Sequence, residues 1–361
     1  MRVHRRLLGP ASLVLLACCG FLACTAERPP GQTPAVEDPL RDPREVHLQN
    51  IRQLTFDGEN AEGYWSDDGS RIIFQSTRGG LPCDQIFTMD ERGGDVRQVS
   101  TGQGKCTCSY FFPGGKRILY SSTHPGSPGC PPRPDYSRGY VWRLERDYEI
   151  FTANADGSDL RRITDHPGYD AEATISPDGE RIIFTSLREG DLDLYTMKPD
   201  GSDVQRITRE RGYDGGAFYS RDGKRIVWRA SRPTTGEEIV AYAELLLESQ
   251  IRPMHLEIFV ANADGTEARQ VTSNGAANFG PYFFPDGRRI VFASNVASPG
   301  SRNFDLWMVN DDGTGVEQIT FSDEFDGFPM FSPDGTKLVF ASNRNAKVQG
   351  ETNLFLAEWV E

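Results

Sequence analysis

One position that recurs along the chain carries an acid or an amide in five of its six occurrences. It lies six residues before a repeated turn phrase, and it reads Asn60, Cys106, Asp170, Asp214, Asn278 and Asp326. Carboxylate and amide oxygens are the ligands that hard cations such as Ca²⁺ prefer. Glu62 and Glu172 follow two residues after this position, and Tyr169 and Tyr213 precede it. The pattern predicts a polar, acidic ligand site that could hold a divalent cation such as calcium.

The same residues have a structural interpretation. A carboxylate at a loop corner can cap backbone N–H groups, and it can pair with a nearby guanidinium. An arginine recurs at a fixed distance after the turn phrase, at Arg78, Arg188, Arg232 and Arg344. Each aspartate could therefore serve its own loop, and both interpretations remain open from the sequence.

The elements that would hold this ring come from the turn phrase itself, which occurs six times. Its clearest copy is Ser176-Pro177-Asp178-Gly179, followed by the apolar run Ile182–Phe184. The copies open at Ser66, Phe112, Ser176, Ser220, Phe284 and Ser332. Glycine accepts the positive φ of a tight turn, and the run that follows has the composition of a strand. Each copy therefore predicts a β-hairpin.

A second Asp-Gly turn joins two further strands in most units, as at Asp156-Gly157 and Asp264-Gly265. Four antiparallel strands, repeated six times, predict an all-β, six-bladed β-propeller over residues 51–361. The chain opens with a lone fourth-strand phrase at Ile51–Phe56 and closes with a third strand at Leu354–Ala357. The N-terminal strand should therefore complete the last blade, which closes the ring as a monomeric propeller.

The Ser-Pro-Asp-Gly turn and the Asp-Gly-x-x-x-Arg-Gln-hydrophobe-Thr strand resemble the TolB-type, WD-like propeller repeat of bacterial envelope proteins. The resemblance covers residues 51–361. It implies the propeller fold and a place in the bacterial envelope, and it says less about activity, because function resides in sites rather than in folds.

Two units carry extra sequence between their second and third strands, at about residues 123–147 and 231–255. In an antiparallel blade these connections leave on one face of the disk, so the two inserts share a face. The second insert should contain a helix that starts at Thr235 and is capped with Glu238. Its apolar stripe, Ile239, Tyr242 and Leu246, should pack either on the propeller or on a partner.

The first 23 residues have the parts of an export signal: a basic end, an apolar stretch and a cleavage box before Cys24. Cys24 is the predicted lipidation site of a lipoprotein, with Cys18 as a competing box and an ordinary cleaved signal as the alternative. Residues 24–50 are Pro-rich and polar, which is typical of a tether. The sequence thus predicts a periplasmic or outer-membrane-anchored protein held on the membrane by lipid.

Four further cysteines, Cys83, Cys106, Cys108 and Cys130, should lie on the insert face around the first two blades. In an exported protein they indicate a disulfide, with a zinc site as the alternative. We do not expect Cys106 and Cys108, which are two residues apart, to form a disulfide with each other. We therefore expect Cys130 to pair with one of them.

The net charge of −13 makes nucleic acid a poor partner. The chain has no nucleophile elbow, no His-Glu-x-x-His and no phosphate loop. The sequence therefore favours a non-enzymatic protein without a cofactor, which binds a protein or a cell-wall component through its insert face. The alternatives are a hydrolase or lyase acting at an acidic channel mouth and a purely structural member of an envelope complex.

Overall fold

The computed structural model describes residues 38–132, 134–137 and 139–361. It contains six four-stranded sheets. Their first strands contact one another in cyclic order, so the sheets are the blades of a closed propeller. The predicted six-bladed all-β fold is confirmed. The predicted signal segment, Cys24 and the tether up to residue 37 lie outside the described residues.

Each blade is given from its innermost strand outward. Blade 1 consists of β2 Asn60–Trp65, β3 Arg71–Ser76, β4 Gln85–Asp90 and β5 Arg97–Gln98. Blade 2 consists of β6 Cys106–Phe111, β7 Arg117–Ser122, β9 Glu149–Asn154 and β10 Arg161–Arg162. Blade 3 consists of β11 Asp170–Ile175, β12 Ile182–Ser186, β13 Asp193–Met197 and β14 Gln205–Arg206.

The second half of the chain repeats this order. Blade 4 consists of β15 Asp214–Tyr219, β16 Arg225–Ala230, β18 Glu257–Asn262 and β19 Arg269–Gln270. Blade 5 consists of β20 Asn278–Phe283, β21 Arg289–Ser294, β22 Asp305–Asn310 and β23 Glu317–Gln318. Blade 6 consists of β24 Asp326–Phe331, β25 Lys337–Ser342, β26 Asn353–Trp359 and the N-terminal strand β1 Leu48–Gln53.

The second strand of each blade is buried over at least three consecutive residues. In blade 3, Ile182, Ile183 and Phe184 are all fully buried. Neighbouring blades cover both faces of this strand, which is why its sequence is a continuous apolar run rather than an alternating one. The fourth strands of blades 1 to 5 have only two residues, and short edges of this kind resist edge-to-edge association.

The N-terminal strand closes the ring as predicted, since β1 pairs antiparallel with β26. It begins at Leu48 rather than at Ile51, and the buried side chain of Leu48 explains the earlier start. The preceding residues also contact the propeller. Glu45 is fully buried and forms an ion pair with Arg344 at 3.0 Å, and Asp38 accepts a hydrogen bond from the Ile51 amide. Residues 38–47 therefore pack on the propeller rather than continuing the tether to residue 50.

The two inserts lie between β7 and β9 and between β16 and β18. The first contains β8 Trp142–Arg143. The second contains α1 Gly236–Leu247 and β17 Gln250–Ile251. Thr235 and Glu238 form the predicted capping box at the start of α1. Within the described residues, no helix has the length and apolar character needed to cross a membrane.

Candidate functional site

The three aspartates of the repeated polar position are buried in ion pairs within their own blades. Arg188 Nη2 lies 2.8 Å from Asp170 Oδ2, Arg232 Nη2 lies 2.6 Å from Asp214 Oδ1, and Arg344 Nη2 lies 2.7 Å from Asp326 Oδ2. The carboxylates are at most 1% exposed. The arginines are those that the structural interpretation named, so each aspartate serves its own blade in this structure.

The other members of the ring are also engaged locally. Asn60 donates to the backbone oxygens of Asp57 and Thr352 and accepts from the Ser76 hydroxyl. Asn278 donates to the Leu256 carbonyl and to Asn274. Each of these side chains ties the start of a first strand to a neighbouring loop, which is the corner chemistry expected of buried polar groups.

A β-bulge in every first strand determines which side chains approach the axis. The pairing of first and second strands shifts register at the same place in all six blades. One residue of each bulge has positive φ, and these residues are Glu62, Cys108, Glu172, Gly216, Gly280 and Phe328. They stand two residues beyond the ring position. A bulge re-aims the side chain that it carries, which is why the axis is lined by this layer.

Around the axis, five side chains from four blades form what we call the channel cluster: Glu62, Cys108, Glu172, Tyr213 and Arg229. Arg229 Nη2 contacts Glu172 Oε1 at 2.8 Å. The Tyr213 hydroxyl donates to the same carboxylate at 2.9 and 3.0 Å. Two carboxylates, one thiol and one guanidinium thus share a largely buried space, in which charges interact more strongly than in water.

Burial raises the pKa of Glu62 to about 7, and the negative charge of Glu172 adds to this effect. The Cys108 thiol and the positive charge of Arg229 oppose the rise. One Glu62 oxygen, Oε2, is buried without a hydrogen-bond partner among the described residues. A carboxyl group in this state can accept or release a proton near neutral pH.

Tyr169, the remaining predicted site residue, is buried beside the cluster. Its ring packs edge-to-face against that of Tyr148, with ring centroids 5.9 Å apart. Burial raises the pKa of its phenol, and the nearby Glu172 charge contributes. The structure therefore brings together Glu62, Glu172, Tyr169 and Tyr213 of the predicted site. It separates them from the ring of aspartates and asparagines.

Two adjacent glycines make room for the arginine of the cluster. A Cβ atom added to Gly216 would lie 2.1 Å from Arg229 Nη1, and one added to Gly215 would lie 2.3 Å from Glu172 Oε2. A larger residue at either position would displace the guanidinium or the carboxylate. The bulge of blade 4 thus lacks a side chain because the arginine from its second strand occupies that space.

The first insert covers the channel cluster. Trp142 lies with its ring 5.3 Å from the Arg229 guanidinium, and it packs edge-on against Tyr213 and Phe279. Tyr140 lies under the Arg302 guanidinium at 5.0 Å. This insert leaves blade 2 and reaches blades 4 and 5, so it crosses the channel mouth. The half-buried Trp142 ring therefore covers the Arg229 guanidinium of the channel cluster.

An aromatic plug closes the channel below the cluster. It consists of Tyr64, Tyr110, Phe218 and Tyr282, one from the first strand of each of four blades. Tyr64 and Phe218 come from opposite blades, and their ring centroids are only 5.3 Å apart. Phe218 also packs edge-on against Tyr110 and Tyr282. The two faces of the propeller are therefore separated along the axis.

The four cysteines of the described chain are free thiols. Cys106 is fully buried near Ser122, and Cys108 belongs to the channel cluster. Cys130 instead contacts the Pro82 carbonyl, and its thiol lies within hydrogen-bonding reach of Cys83. The predicted disulfide of Cys130 with Cys106 or Cys108 is not formed in this structure, because the insert folds back onto the loop of blade 1 and places Cys130 beside Pro82 and Cys83.

Sequence reasoning missed Arg229 and Trp142. A signal for Arg229 was present, since it is a charged residue within the buried part of strand β16, and a buried charge needs a partner. Trp142 had no comparable signal, because its neighbours come from blades distant in sequence. Within the described residues, no group of three or more His, Cys, Asp or Glu side chains is arranged to hold a metal ion.

Comparisons with known proteins agree with this architecture. Residues 123–249 match the model of the TolB β-propeller domain. The TolB homologue of Chlorobium luteolum is 26% identical over 144 residues, which are 34% of this chain and 33% of that protein. The TolB homologue of Chlorobium chlorochromatii is 27% identical over 142 residues, 33% of this chain and 32% of that protein. The match therefore spans about a third of the length of these curated relatives.

Solved structures share the fold along most of the chain. A structure described as TolB from Agrobacterium tumefaciens superposes with a TM-score of 0.57 at 20% identity, covering 84% of this chain and 91% of that one. An oligogalacturonate lyase in complex with manganese superposes with a TM-score of 0.52 at 15% identity, covering 86% and 93%. The solved structures show the shared propeller fold, and the matched domain, the repeats and the six blades together support a TolB-type β-propeller protein.

Proposed function

We propose that this propeller is a non-enzymatic binding protein of the cell envelope, which contacts a protein or cell-wall partner through its insert face. The observation that carries the proposal is the pairing of the two inserts with each other. Strand β8 of the first insert pairs antiparallel with strand β17 of the second. Segments from blades 2 and 4 are thereby joined into one surface above blade 3.

Further hydrogen bonds hold this surface together. The Leu144 amide donates to the Ser249 carbonyl at 2.8 Å, and Arg146 donates to the Ser249 hydroxyl at 2.7 Å. The Tyr242 hydroxyl donates to Asp191 at 2.5 Å, and Leu245 is buried. The inner stripe of α1 thus packs on the propeller. A rigid platform of this kind reduces the ordering cost of binding.

The outer side of the inserts exposes apolar groups. Five of the eleven large apolar side chains exposed in the described chain lie on the inserts, and they are Tyr136, Tyr140, Val240, Leu247 and Met254. Val240, Ala243 and Leu247 fall on one exposed stripe of α1, and Leu247 is 82% exposed. The exposed Glu237 and Glu244 lie along one edge of this stripe. An apolar stripe with an acidic edge suits a partner with apolar and basic groups.

Site-specific photo-crosslinking in intact cells tests this proposal. A photoreactive residue is placed at Leu247 or Tyr140 on the insert face. In matched controls it is placed at Val204 or Val316, exposed residues in turns on the opposite face. The insert-face positions should give one discrete adduct and the controls none. Adducts of equal yield from both faces, or none from the insert face, would contradict the proposal.

The proposal includes export and a lipid anchor at Cys24, which would keep the platform at a membrane surface. Support comes from the sequence of residues 1–23 and from the polar segment that follows them. Labelling of cells with a radioactive fatty acid should mark the wild type and leave Cys24→Ser unlabelled. A Cys18→Ser variant should keep the label. Loss of the label in this variant would instead indicate that Cys18 is the lipidated residue.

A second candidate function is a hydrolase or lyase activity in the channel, with a divalent cation such as calcium as cofactor. The raised pKa of Glu62, together with its unpartnered oxygen, favours this candidate, since perturbed carboxyl groups are common in active sites. It requires the Trp142 cover to open. If Ca²⁺ raises the melting temperature of the wild type but not that of Glu62→Gln, the result would support this second candidate. If no divalent ion changes the melting temperature, the result would contradict a cation cofactor.

A further inference from the structure

The face opposite the inserts carries a second concavity, which we call the turn pocket. The turns between the first and second strands of the six blades surround it, and its volume is about 280 Å³. Tyr110, Phe218 and Tyr282 of the aromatic plug line it, together with Trp65 and Met330. Because the plug closes the channel, the turn pocket is a blind cavity with an aromatic floor.

Four prolines form most of its rim. The second position of the turn phrase is proline in blades 2, 3, 5 and 6, namely Pro113, Pro177, Pro285 and Pro333. Blade 1 has Asp67 at this position, and blade 4 has Arg221. These two blades stand opposite each other across the axis. The rim thus carries one acidic and one basic residue on otherwise apolar walls.

The two charged rim residues differ in what they contact. Asp67 accepts a hydrogen bond from the Gly114 amide at 2.7 Å, so it stabilises the next turn. Arg221 is exposed, and among the residues that the structure describes no carboxylate pairs with it. The basic residues that follow the turn differ in this respect, since Arg71, Arg181 and Arg289 all form ion pairs. Arg221 is therefore available to a ligand.

Arg221 is the basic residue of the cavity lining that lies nearest to the phenols of the pocket floor. Arg221 lines the cavity, and its positive charge opposes the rise that burial causes in the pKa of Tyr282. The Tyr110 and Tyr282 phenols are near enough to influence each other's pKa, and burial is the main cause of the rise in both. The pocket thus offers aromatic faces and edges below, a phenol pair at one side and an unpaired guanidinium above.

We propose that the turn pocket binds the carboxylate of a small aromatic acid, with the ring on the aromatic floor and the carboxylate on Arg221. A guanidinium holds a carboxylate through two parallel hydrogen bonds, and aromatic rings prefer edge-on or offset contacts. The cavity volume suits one ring with a short acidic arm. The same group could belong to a free acid or to the C-terminal aromatic residue of a polypeptide. This site is independent of the insert face.

Isothermal titration of the purified protein with 3-phenylpropionate tests the proposal. Its uncharged amide, 3-phenylpropanamide, tests the need for the carboxylate, and acetate tests the need for the ring. Two tripeptides ending in phenylalanine, one with a free and one with an amidated carboxyl group, distinguish a polypeptide end from a free acid. We expect saturable binding of the free acid or of the free-carboxyl peptide, and much weaker binding of the other probes.

Arg221→Pro supplies the residue found in four other blades, so the turn should be preserved. Arg221→Gln is the second variant in case the proline interferes with folding. Either should weaken binding about tenfold to a hundredfold. Arg288→Gln removes an exposed arginine from the same face outside the pocket, and it should bind as the wild type does. No saturable binding by any carboxylate probe, or equal affinity in the Arg221 variants, would overturn the proposal.

Discussion

The channel cluster allows one substitution, glutamate to glutamine, to be made at two equivalent positions with opposite expected effects. Glu62 and Glu172 both occupy the bulge of a first strand, with φ of 53° and 57°. Glutamine has the same shape and the same backbone preferences as glutamate, so the bulge itself is unaffected. The two variants therefore report on the electrostatics of each carboxyl group.

For Glu62→Gln we expect a gain in stability at alkaline pH. The pKa of Glu62 is raised from 4.5 to about 7, so the folded protein holds a proton that the unfolded chain has lost. The contribution of Glu62 to the free energy of unfolding is fully present below pH 4.5 and is lost as the pH rises to about 7. The whole shift corresponds to about 3 kcal/mol. Glutamine cannot ionise, so the variant should escape this loss.

For Glu172→Gln we expect a loss. Its carboxylate pairs with Arg229, and both side chains are only 10% exposed. Removing one partner of a buried ion pair leaves an uncompensated charge, which costs about 3–5 kcal/mol. The Tyr213 hydroxyl would retain an acceptor in the glutamine carbonyl, so the cost should fall at the lower end of this range.

Guanidinium denaturation at pH 5 and pH 8, followed by tryptophan fluorescence, measures both effects. At pH 8 the two variants should lie on opposite sides of the wild type. At pH 5 the advantage of Glu62→Gln should shrink to under about 1 kcal/mol, because Glu62 is then mostly protonated in the wild type. Shifts in the same direction, or an advantage of Glu62→Gln that does not change with pH, would refute this account of the cluster.

Three further predictions concern the frame of the propeller. Leu48→Ala should lower the free energy of unfolding by about 3 kcal/mol because Leu48 is fully buried in the closing strand, whereas Val46→Ala, at a 59% exposed position, should change it by less than about 0.5 kcal/mol; equal effects in chemical denaturation would argue against closure by β1. Asp170→Asn should cost about 3 kcal/mol by breaking a buried ion pair, and the loss in melting temperature should be the same with and without Ca²⁺; a Ca²⁺-dependent loss would restore the cation interpretation of the ring. Mild oxidation should join Cys83 to Cys130, with the exposed Cys130 reacting first because burial raises the pKa of Cys83 to about 12; mass spectrometry of unreduced digests would disprove this by finding Cys106 or Cys108 in the bond.

The repeats of the sequence were sufficient for the architecture, since turns and strands are set by neighbours in the chain. Asp-Gly pairs defined the hairpins, and the lone strand at the start defined the closure. The capping box at Thr235 and Glu238 was equally local. The pairing of Asp170 with Arg188 could also be foreseen as an alternative, because both residues belong to one hairpin.

The contents of the channel depended on contacts between blades. A bulge in each first strand turns Glu62 and Glu172 toward the axis and leaves the ring residues inside their own blades. Trp142 covers Arg229 because the first insert crosses from blade 2 to blades 4 and 5. Sequence spacing determines partners within a hairpin. Which side chains meet across the axis is decided by the curvature of the closed ring and by the path of the inserts, and these exist only once six blades have packed together.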